Sequence, residues 1–128
     1  SGQDKAMEYL YIIHEIGNLE LRLHAADALL QRAARFIEAG VANPTEDTVA
    51  AASIAVAEAK VLSTEIAILA TNKLFELSGT RSTLEEYNLD RHWRNARTHT
   101  LHDPVRWKFH AIGNYYLNEI KPPRHPWI

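Results

Sequence analysis

Apolar residues in the first forty positions recur in alternating steps of four and three. The row consists of Ile12, Ile16, Leu19, Leu23, Ala26, Leu30, Ala33 and Ile37. This period is typical of a helix packed along a nearly parallel neighbour. It predicts one long helix from about Lys5 to Ala39, ended by Gly40, with charged residues such as Glu15 on the solvated or subunit-facing side. Gly17, in the helix interior, indicates either a kink or the close approach of another helix.

A second helix follows the turn at Asn43-Pro44 and extends to about Leu77. Thr45 is the predicted N-cap, and the two acids after it favour the positive end of the helix dipole. The helix carries two apolar seams. One contains Val49, Ala52, Val56, Ala59, Ser63, Ile66 and Ala70, and the other contains Ile54, Ala57, Val61, Thr64, Ile68 and Phe75. A helix that is apolar on more than one side is expected at the centre of its bundle.

Two further helices are predicted around a proline. Asp90 is the candidate N-cap of a third helix that stops before Asp103, because the residue preceding a proline avoids helical geometry. Asp103-Pro104 is a favoured start for a fourth helix, whose predicted apolar face is Val105, Phe109, Ile112 and Tyr116. Residues 121–128 are rich in proline and are expected to be extended. The pattern contains no strands and predicts an all-α fold, an antiparallel four-helix bundle that forms one domain over residues 1–128.

Composition narrows the functional classes. The 128 residues are 46% apolar and contain no cysteine, which excludes a disulfide framework and a thiolate zinc site and fits a reducing cytoplasm. A formal charge of -2 argues against general nucleic-acid binding, which needs a basic excess. No apolar run approaches the roughly 20 residues needed to span a bilayer. We therefore expect a cytoplasmic domain without nucleic-acid or membrane partners.

Charged and titratable residues are concentrated between Asp90 and Pro104. Arg91, Arg94 and Arg97 are spaced three apart, and so are His99 and His102, so each set would form a row on one helix face. The arginine row can be read as a solvated face or as an anion site. The histidines can be read as a functional pair or as side chains that a helix C-terminus favours in their charged form. His99, His102 and Asp103 can also be read as metal ligands, but such a spacing is common by chance, and no metal site is predicted.

The segment Trp93 to Pro104 reads Trp-Arg-Asn-Ala-Arg-Thr-His-Thr-Leu-His-Asp-Pro. It resembles a segment in the C-terminal helical domain of the acyl-CoA dehydrogenase superfamily. The closer resemblance is to the flavin-dependent monooxygenase branch, the dibenzothiophene and alkylsulfone monooxygenase group. It extends over Gly17 to Arg35, the turn at 77–82 and residues 114–118. The resemblance implies that the chain is the C-terminal domain of a larger flavoprotein, whose N-terminal helical and middle β-domains lie outside these residues.

This resemblance implies a partial site for a flavin, either FMN or FAD. The turn that contains Ser78, Gly79 and Arg81 is similar to a family turn that meets the flavin across a subunit interface, and Arg97 is a further candidate contact. Phe75, Ser78 and Arg81 depart from the dehydrogenase pattern, which has a glutamine and two glycines there. Arginine remains suited to a flavin phosphate, since its guanidinium forms paired hydrogen bonds with phosphate oxygens.

The resemblance also assigns roles to three candidate catalytic residues. His102 matches a monooxygenase histidine near the reactive edge of the flavin, where an imidazole can donate a hydrogen bond and stabilise negative charge during oxygen transfer. His99 is expected to support it. Asp103 stands where some dehydrogenases place the glutamate that removes a proton from an acyl thioester. Its side chain is one methylene shorter and is also the expected helix cap, which argues against dehydrogenation.

The expected function is that of a flavin-dependent oxidoreductase when full length, an FMNH2-dependent monooxygenase of a small organosulfur or aromatic compound. The isolated domain is expected to be inactive. Expected partners are further copies of the chain, in a dimer or tetramer, and a flavin reductase. Three alternatives stay open: an acyl-CoA dehydrogenase proper, a helical oligomerisation module without catalysis of its own, and an anion-binding regulatory bundle that uses the arginine row.

Overall fold

The computed structural model describes residues 2–78, 91–92, 94–96 and 105–123. These residues contain three long helices: α1 (Gly2–Ala42), α2 (Glu46–Ser78) and α3 (Val105–Asn118). Residues 91–92 and 94–96 are also helical, as predicted for the helix after Asp90. The described residues contain no strand, and the all-α fold is confirmed. None of the helices in these ranges combines the length and the apolar character that a membrane crossing requires.

Helices α1 and α2 form an antiparallel hairpin across a three-residue link. Glu15 pairs with Lys73 and Arg32 pairs with Glu58, so positions further along α1 meet positions nearer the start of α2. The predicted cap is confirmed. The backbone N–H of Thr48 donates to Thr45 Oγ1 at 3.1 Å, and the N–H of Thr45 donates to Thr48 Oγ1 at 2.9 Å. These reciprocal bonds satisfy N–H groups that have no partner within the helix.

The core between α1 and α2 is built from alanine. Ala33, Ala55 and Ala59 form a buried cluster, against which Leu29, Phe36 and Val56 pack. Small side chains allow two helix backbones to approach closely, which explains the many alanines on α2. Ala57 and Ile54, from the second predicted seam, are also buried. The prediction that α2 is the central helix is confirmed, because α2 contacts both α1 and α3.

Helix α3 runs antiparallel to α2. Tyr116 contacts Glu58, while Lys121, just after α3, contacts Glu46 at the start of α2. Helix α3 corresponds to the fourth helix predicted from the sequence. Its predicted apolar face is partly wrong, since Phe109 is 53% exposed and Tyr116 is 58% exposed. The most buried side chain of the helix is instead Lys108, at 1% exposure. Lysine seldom occupies so buried a position, and periodicity alone does not predict it.

Two predictions for α1 are wrong. The helix does not end at Gly40 but continues to Ala42, and Asn43 N–H still donates to the Ala39 carbonyl at 3.0 Å. Glu15 is not solvated but 8% exposed. Among the described residues no other helix approaches Gly17 closely, because a Cβ built on it meets no described atom within 4 Å.

Only part of the predicted apolar seam of α1 is buried in the described residues. Ala26 and Ala33 are buried, whereas a second set of residues, each seven positions from the next, is 45 to 66% exposed. We call this set the outer row: Tyr9, Ile16, Leu23, Leu30 and Ile37. A heptad spacing keeps side chains on nearly the same helix face. The outer row therefore runs for about 42 Å along α1, at 1.5 Å per residue.

We expect Gly17→Ala to raise the free energy of unfolding by about 0.5–1 kcal/mol, because alanine restricts the unfolded chain and favours the helix interior. Chemical denaturation measures the change. Gly40→Ala is the matched control: its Cβ would meet the Thr48 carbonyl oxygen at an ordinary contact distance of 3.6 Å, but Gly40 lies in the last turn of α1, where helix propensity counts for less, so its gain should be smaller. A loss of stability on Gly17→Ala would contradict the open space around this position.

Candidate functional site

The predicted site residues fall at and beyond the C-terminal end of α2. Ser78 is the last residue of that helix. Gly79, Arg81, Arg97, His99, His102 and Asp103 lie outside the described residues, and their roles stay predictions. Of the arginine row, Arg91 and Arg94 lie in helical stretches and are both exposed. Two arginines three positions apart on a helix share a face, as the sequence predicts.

Four polar side chains join α1 to the end of α2, and we call them the Lys73 cluster: Tyr11, Glu15, Lys73 and Glu76. Lys73 Nζ lies 2.8 Å from Glu76 Oε2, 3.2 Å from Glu15 Oε2 and 3.2 Å from Tyr11 Oη. Tyr11 Oη also donates a hydrogen bond to Glu76 Oε1. The lysine ammonium lies 5.6 Å from the centroid of the Tyr11 ring, within the range of a cation–π contact.

Hydrogen bonds shift the pKa values of Tyr11, Lys73 and Glu76. The bond to Glu76 raises the pKa of Lys73 above its ordinary value. Bonds from Lys73 and then from Tyr11 lower the pKa of the Glu76 carboxyl. The bond to Glu76 raises the pKa of the Tyr11 phenol. The stabilisation of the folded state by these hydrogen bonds is therefore lost in acid, as the pH falls through the folded-state pKa of Glu76. It is also lost in base, as the pH rises through the folded-state pKa values of Tyr11 and Lys73. At neutral pH the network is complete.

A second polar group connects all three long helices. Arg32 Nη1 on α1 lies 3.5 Å from Glu58 Oε1 on α2, and Tyr116 Oη on α3 donates to the same oxygen at 3.0 Å. The Arg32 guanidinium also stacks 4.6 Å from the centroid of the Phe36 ring. Desolvation and the bond to Glu58 raise the pKa of the Tyr116 phenol. This group lies near the middle of the bundle and acts as a junction of the three helices.

A third polar group lies at the start of α2. Lys121 Nζ is 2.9 Å from Asp47 Oδ1 and 3.4 Å from Glu46 Oε2. These carboxylates, especially Asp47, raise the pKa of Lys121. The contact joins the segment after α3 to the first turn of α2, so that α2 carries lysine–carboxylate contacts near both of its ends.

Sequence reasoning missed the Lys73 cluster and the burial of Lys108. A signal for the cluster exists in the sequence: Lys73 and Glu76 are three apart, a spacing that places opposite charges together on one helix. Their partners on α1 are about sixty residues away, and only the antiparallel hairpin brings them together. Within the residues that the structure describes, no group of three or more histidine and carboxylate side chains is arranged to hold a metal ion.

Comparison with known proteins identifies the domain. Residues 1–107 match the family described as "Acyl-CoA dehydrogenase, C-terminal domain". The dibenzothiophene monooxygenase of Mycolicibacterium goodii is 37% identical over 126 residues, which cover 95% of this chain and 30% of that protein. The probable FMNH2-dependent monooxygenase SfnC of Pseudomonas putida is 36% identical over 115 residues, which cover 88% of this chain and 29% of that protein.

Solved structures agree with these sequence relatives. Methanesulfinate monooxygenase MsuC from Pseudomonas fluorescens superposes with a TM-score of 0.84 at 34% identity, covering 92% of this chain and 31% of that one. FMN-bound TdsC from Paenibacillus sp. A11-2 superposes with a TM-score of 0.84 at 31% identity, covering 92% of this chain and 30% of that one. The chain thus spans about 30% of the length of the relatives it matches. It belongs to the acyl-CoA dehydrogenase C-terminal domain family.

Proposed function

We propose that this chain is the C-terminal domain of an FMNH2-dependent monooxygenase that acts on a small organosulfur or aromatic compound. The observation that carries the proposal is the 37% identity over 126 residues to a dibenzothiophene monooxygenase, which spans 95% of the chain. Similarity to SfnC and to MsuC, a methanesulfinate monooxygenase, supports the same reaction class. Because the chain covers about 30% of these relatives, the remaining part of the active site belongs to the rest of the protein.

FMN is the flavin that we propose. One relative is described as FMNH2-dependent, and TdsC has been solved with FMN bound. The donor chemistry of the predicted contacts fits this cofactor, because Arg81 and Arg97 are cations suited to an anionic phosphate. Ser78 ends α2, so Gly79 and Arg81 follow the helix directly in sequence. These residues would hold the phosphate portion of FMN.

His102 is the proposed catalytic residue of this domain, with His99 in a supporting role. Reduced flavin supplies the electrons with which molecular oxygen is activated. The imidazole of His102 would donate a hydrogen bond where negative charge develops during oxygen transfer to the substrate. Asp103 is proposed as the N-cap of α3, which begins at Val105, two residues further on. An N-cap carboxylate that accepts backbone hydrogen bonds is poorly suited to take a proton from carbon.

The proposed partners follow from the cofactor and from the surface of α1. A protein that uses FMNH2 needs a source of reduced flavin, for which we propose a separate flavin reductase. The substrate is a small molecule, and TdsC has been solved with FMN and indole together. We also propose a homo-oligomer, dimer or tetramer, in which the outer row of α1 packs against a second copy. An exposed apolar row of this length is expected to be covered in the assembled protein.

The first test separates His102 from Asp103. In the full-length enzyme, His102→Ala should lower the rate of substrate oxygenation by about 10²-fold or more, the usual effect of removing a positioned acid or base. Asp103→Asn should be mild, because asparagine caps a helix about as well as aspartate. Steady-state oxygenation with supplied FMNH2 measures both. If Asp103→Asn instead abolished flavin reduction by an acyl-CoA and His102→Ala was tolerated, the protein would be a dehydrogenase.

The second test concerns the isolated domain. The 128-residue chain supplies only part of the flavin pocket, so the contacts it makes should not offset the ordering cost of binding. We expect the purified chain to be colourless and to bind added FMN only weakly in an equilibrium titration. Recovery of yellow protein with stoichiometric flavin would contradict a pocket shared with other domains.

The third test concerns assembly. Leu23→Glu combined with Leu30→Glu should dissociate the oligomer, since it places charges in the middle of the outer row. Leu21→Glu is the matched control, because Leu21 is 71% exposed and faces away from that row. Light scattering at micromolar concentration reports the mass of each variant. A monomeric parent protein, or a double variant as oligomeric as the parent, would rule out this interface.

A further inference from the structure

We infer that Tyr11, Lys73 and Glu76 are positioning residues for flavin binding. They hold the last turns of α2 against α1, and the proposed flavin contacts Ser78, Gly79 and Arg81 lie at or just after the end of α2 in sequence. The inference rests on the proposed function, in which those residues meet the phosphate portion of FMN. It assigns a role to a polar cluster that does not itself touch the cofactor.

The Lys73 cluster joins one turn of α1 to one turn of α2. Tyr11 and Glu15 are four residues apart on α1, and Lys73 and Glu76 are three apart on α2, so each pair shares a helix face. The bonds cross between the helices from Lys73 to Glu15 at 3.2 Å, from Lys73 to Tyr11 at 3.2 Å and from Tyr11 to Glu76. Several directional bonds across one level of the hairpin fix both the height and the rotation of α2 at its end.

Among the described residues, few positions at this end of the hairpin are fully buried. The described residues of α2 include no buried position after Ile66, and residues 67–77 are all partly or fully exposed. On α1, Glu15 is the only buried position among residues 2–25. A helix end with few buried apolar contacts opens and shifts more readily than a packed one. Among the described residues, the polar bonds of the Lys73 cluster are therefore directional contacts that tie the last turns of α2 to α1.

The cluster also neutralises a carboxylate near the proposed phosphate site. Glu76 lies two residues before Ser78, and an isolated carboxylate there would repel a phosphate. In the structure its two oxygens are bonded to the Tyr11 hydroxyl and to Lys73. A positioning role and a purely electrostatic role for Glu76 thus predict opposite effects of Glu76→Gln on FMN binding. The loss of a negative charge alone would strengthen FMN binding, whereas the loss of the bond to Lys73 would weaken it.

The experiment compares two tyrosine variants and one glutamate variant in the full-length protein. Tyr11→Phe and Glu76→Gln should each raise the dissociation constant for FMN about three- to ten-fold, the factor equivalent to one net hydrogen bond. The KM for FMNH2 should rise with kcat retained at saturating flavin. Tyr116→Phe is the matched control, because Tyr116 also donates to a glutamate on α2, at 3.0 Å, but at the middle of the bundle.

Hydrogen exchange provides the second measurement. Amides of residues 70–78 should exchange faster in Tyr11→Phe and Glu76→Gln than in the parent or in Tyr116→Phe. Lys73→Arg, which keeps the positive charge and the donors, should bind FMN more tightly than Lys73→Met. Thermal unfolding of every variant confirms that each is folded at the temperature of the binding assay.

The outcomes separate this inference from the proposed function. Three results would overturn the inference when the parent binds FMN. The dissociation constants of Tyr11→Phe and Glu76→Gln could lie within two-fold of the parent value, or Glu76→Gln could bind FMN more tightly than the parent. The third result is that Tyr116→Phe weakens FMN binding as much as Tyr11→Phe does. A parent protein that binds neither FMN nor FMNH2 would overturn the proposed function and this inference with it. Weakened binding in Tyr11→Phe and Glu76→Gln alone, with faster exchange at the end of α2, supports it.

Discussion

The structure depends on burying α2 on two sides at once. Helix α1 covers one face through Ala33, Ala55 and Ala59, and α3 lies along another. Because α1 and α3 both pack on α2, a shift in the axis of α2 would disturb both interfaces. Alanine is suited to this position, since it favours the helix and leaves room for two close neighbours. The abundance of alanine in the chain thus reflects the central place of one helix.

Small apolar side chains bring helices together but do little to determine their axial positions or their rotation about their own axes. Polar contacts between specific residues determine both. The Lys73 cluster sets one end of α2, the Arg32–Glu58–Tyr116 group sets the middle, and Lys121 contacts the start. Ion pairs that are partly or fully exposed to solvent, like most of these, contribute little to global stability. Their value lies in specifying register, which is the best-attested role of polar groups within helical assemblies.

The features that sequence predicted correctly are local. The Thr45 cap depends on residues three apart, and the central position of α2 follows from two seams on one helix. The burial of Glu15 depends on Lys73, 58 residues away, so periodicity along α1 could not predict it. Gly40 was misleading because glycine permits a helix to end but does not require it. For the site, spacing predicted a shared face for the arginines, whereas the roles of His102 and Arg81 came from resemblance to a family and lie outside the described residues.

The three-residue link between α1 and α2 also has a consequence for how the chain folds. The contacts of the hairpin begin next to that link, where Thr48 Oγ1 accepts from Thr45 N–H and donates to the Asn43 carbonyl at 2.7 Å. Closing so short a loop costs little chain entropy, and contacts can then form pair by pair away from it. Helix α3 is separated from α2 by a much longer stretch of chain, whose ends must come together before Tyr116 can contact Glu58. During synthesis the hairpin can therefore assemble before α3 leaves the ribosome, and α3 docks onto a surface that already exists.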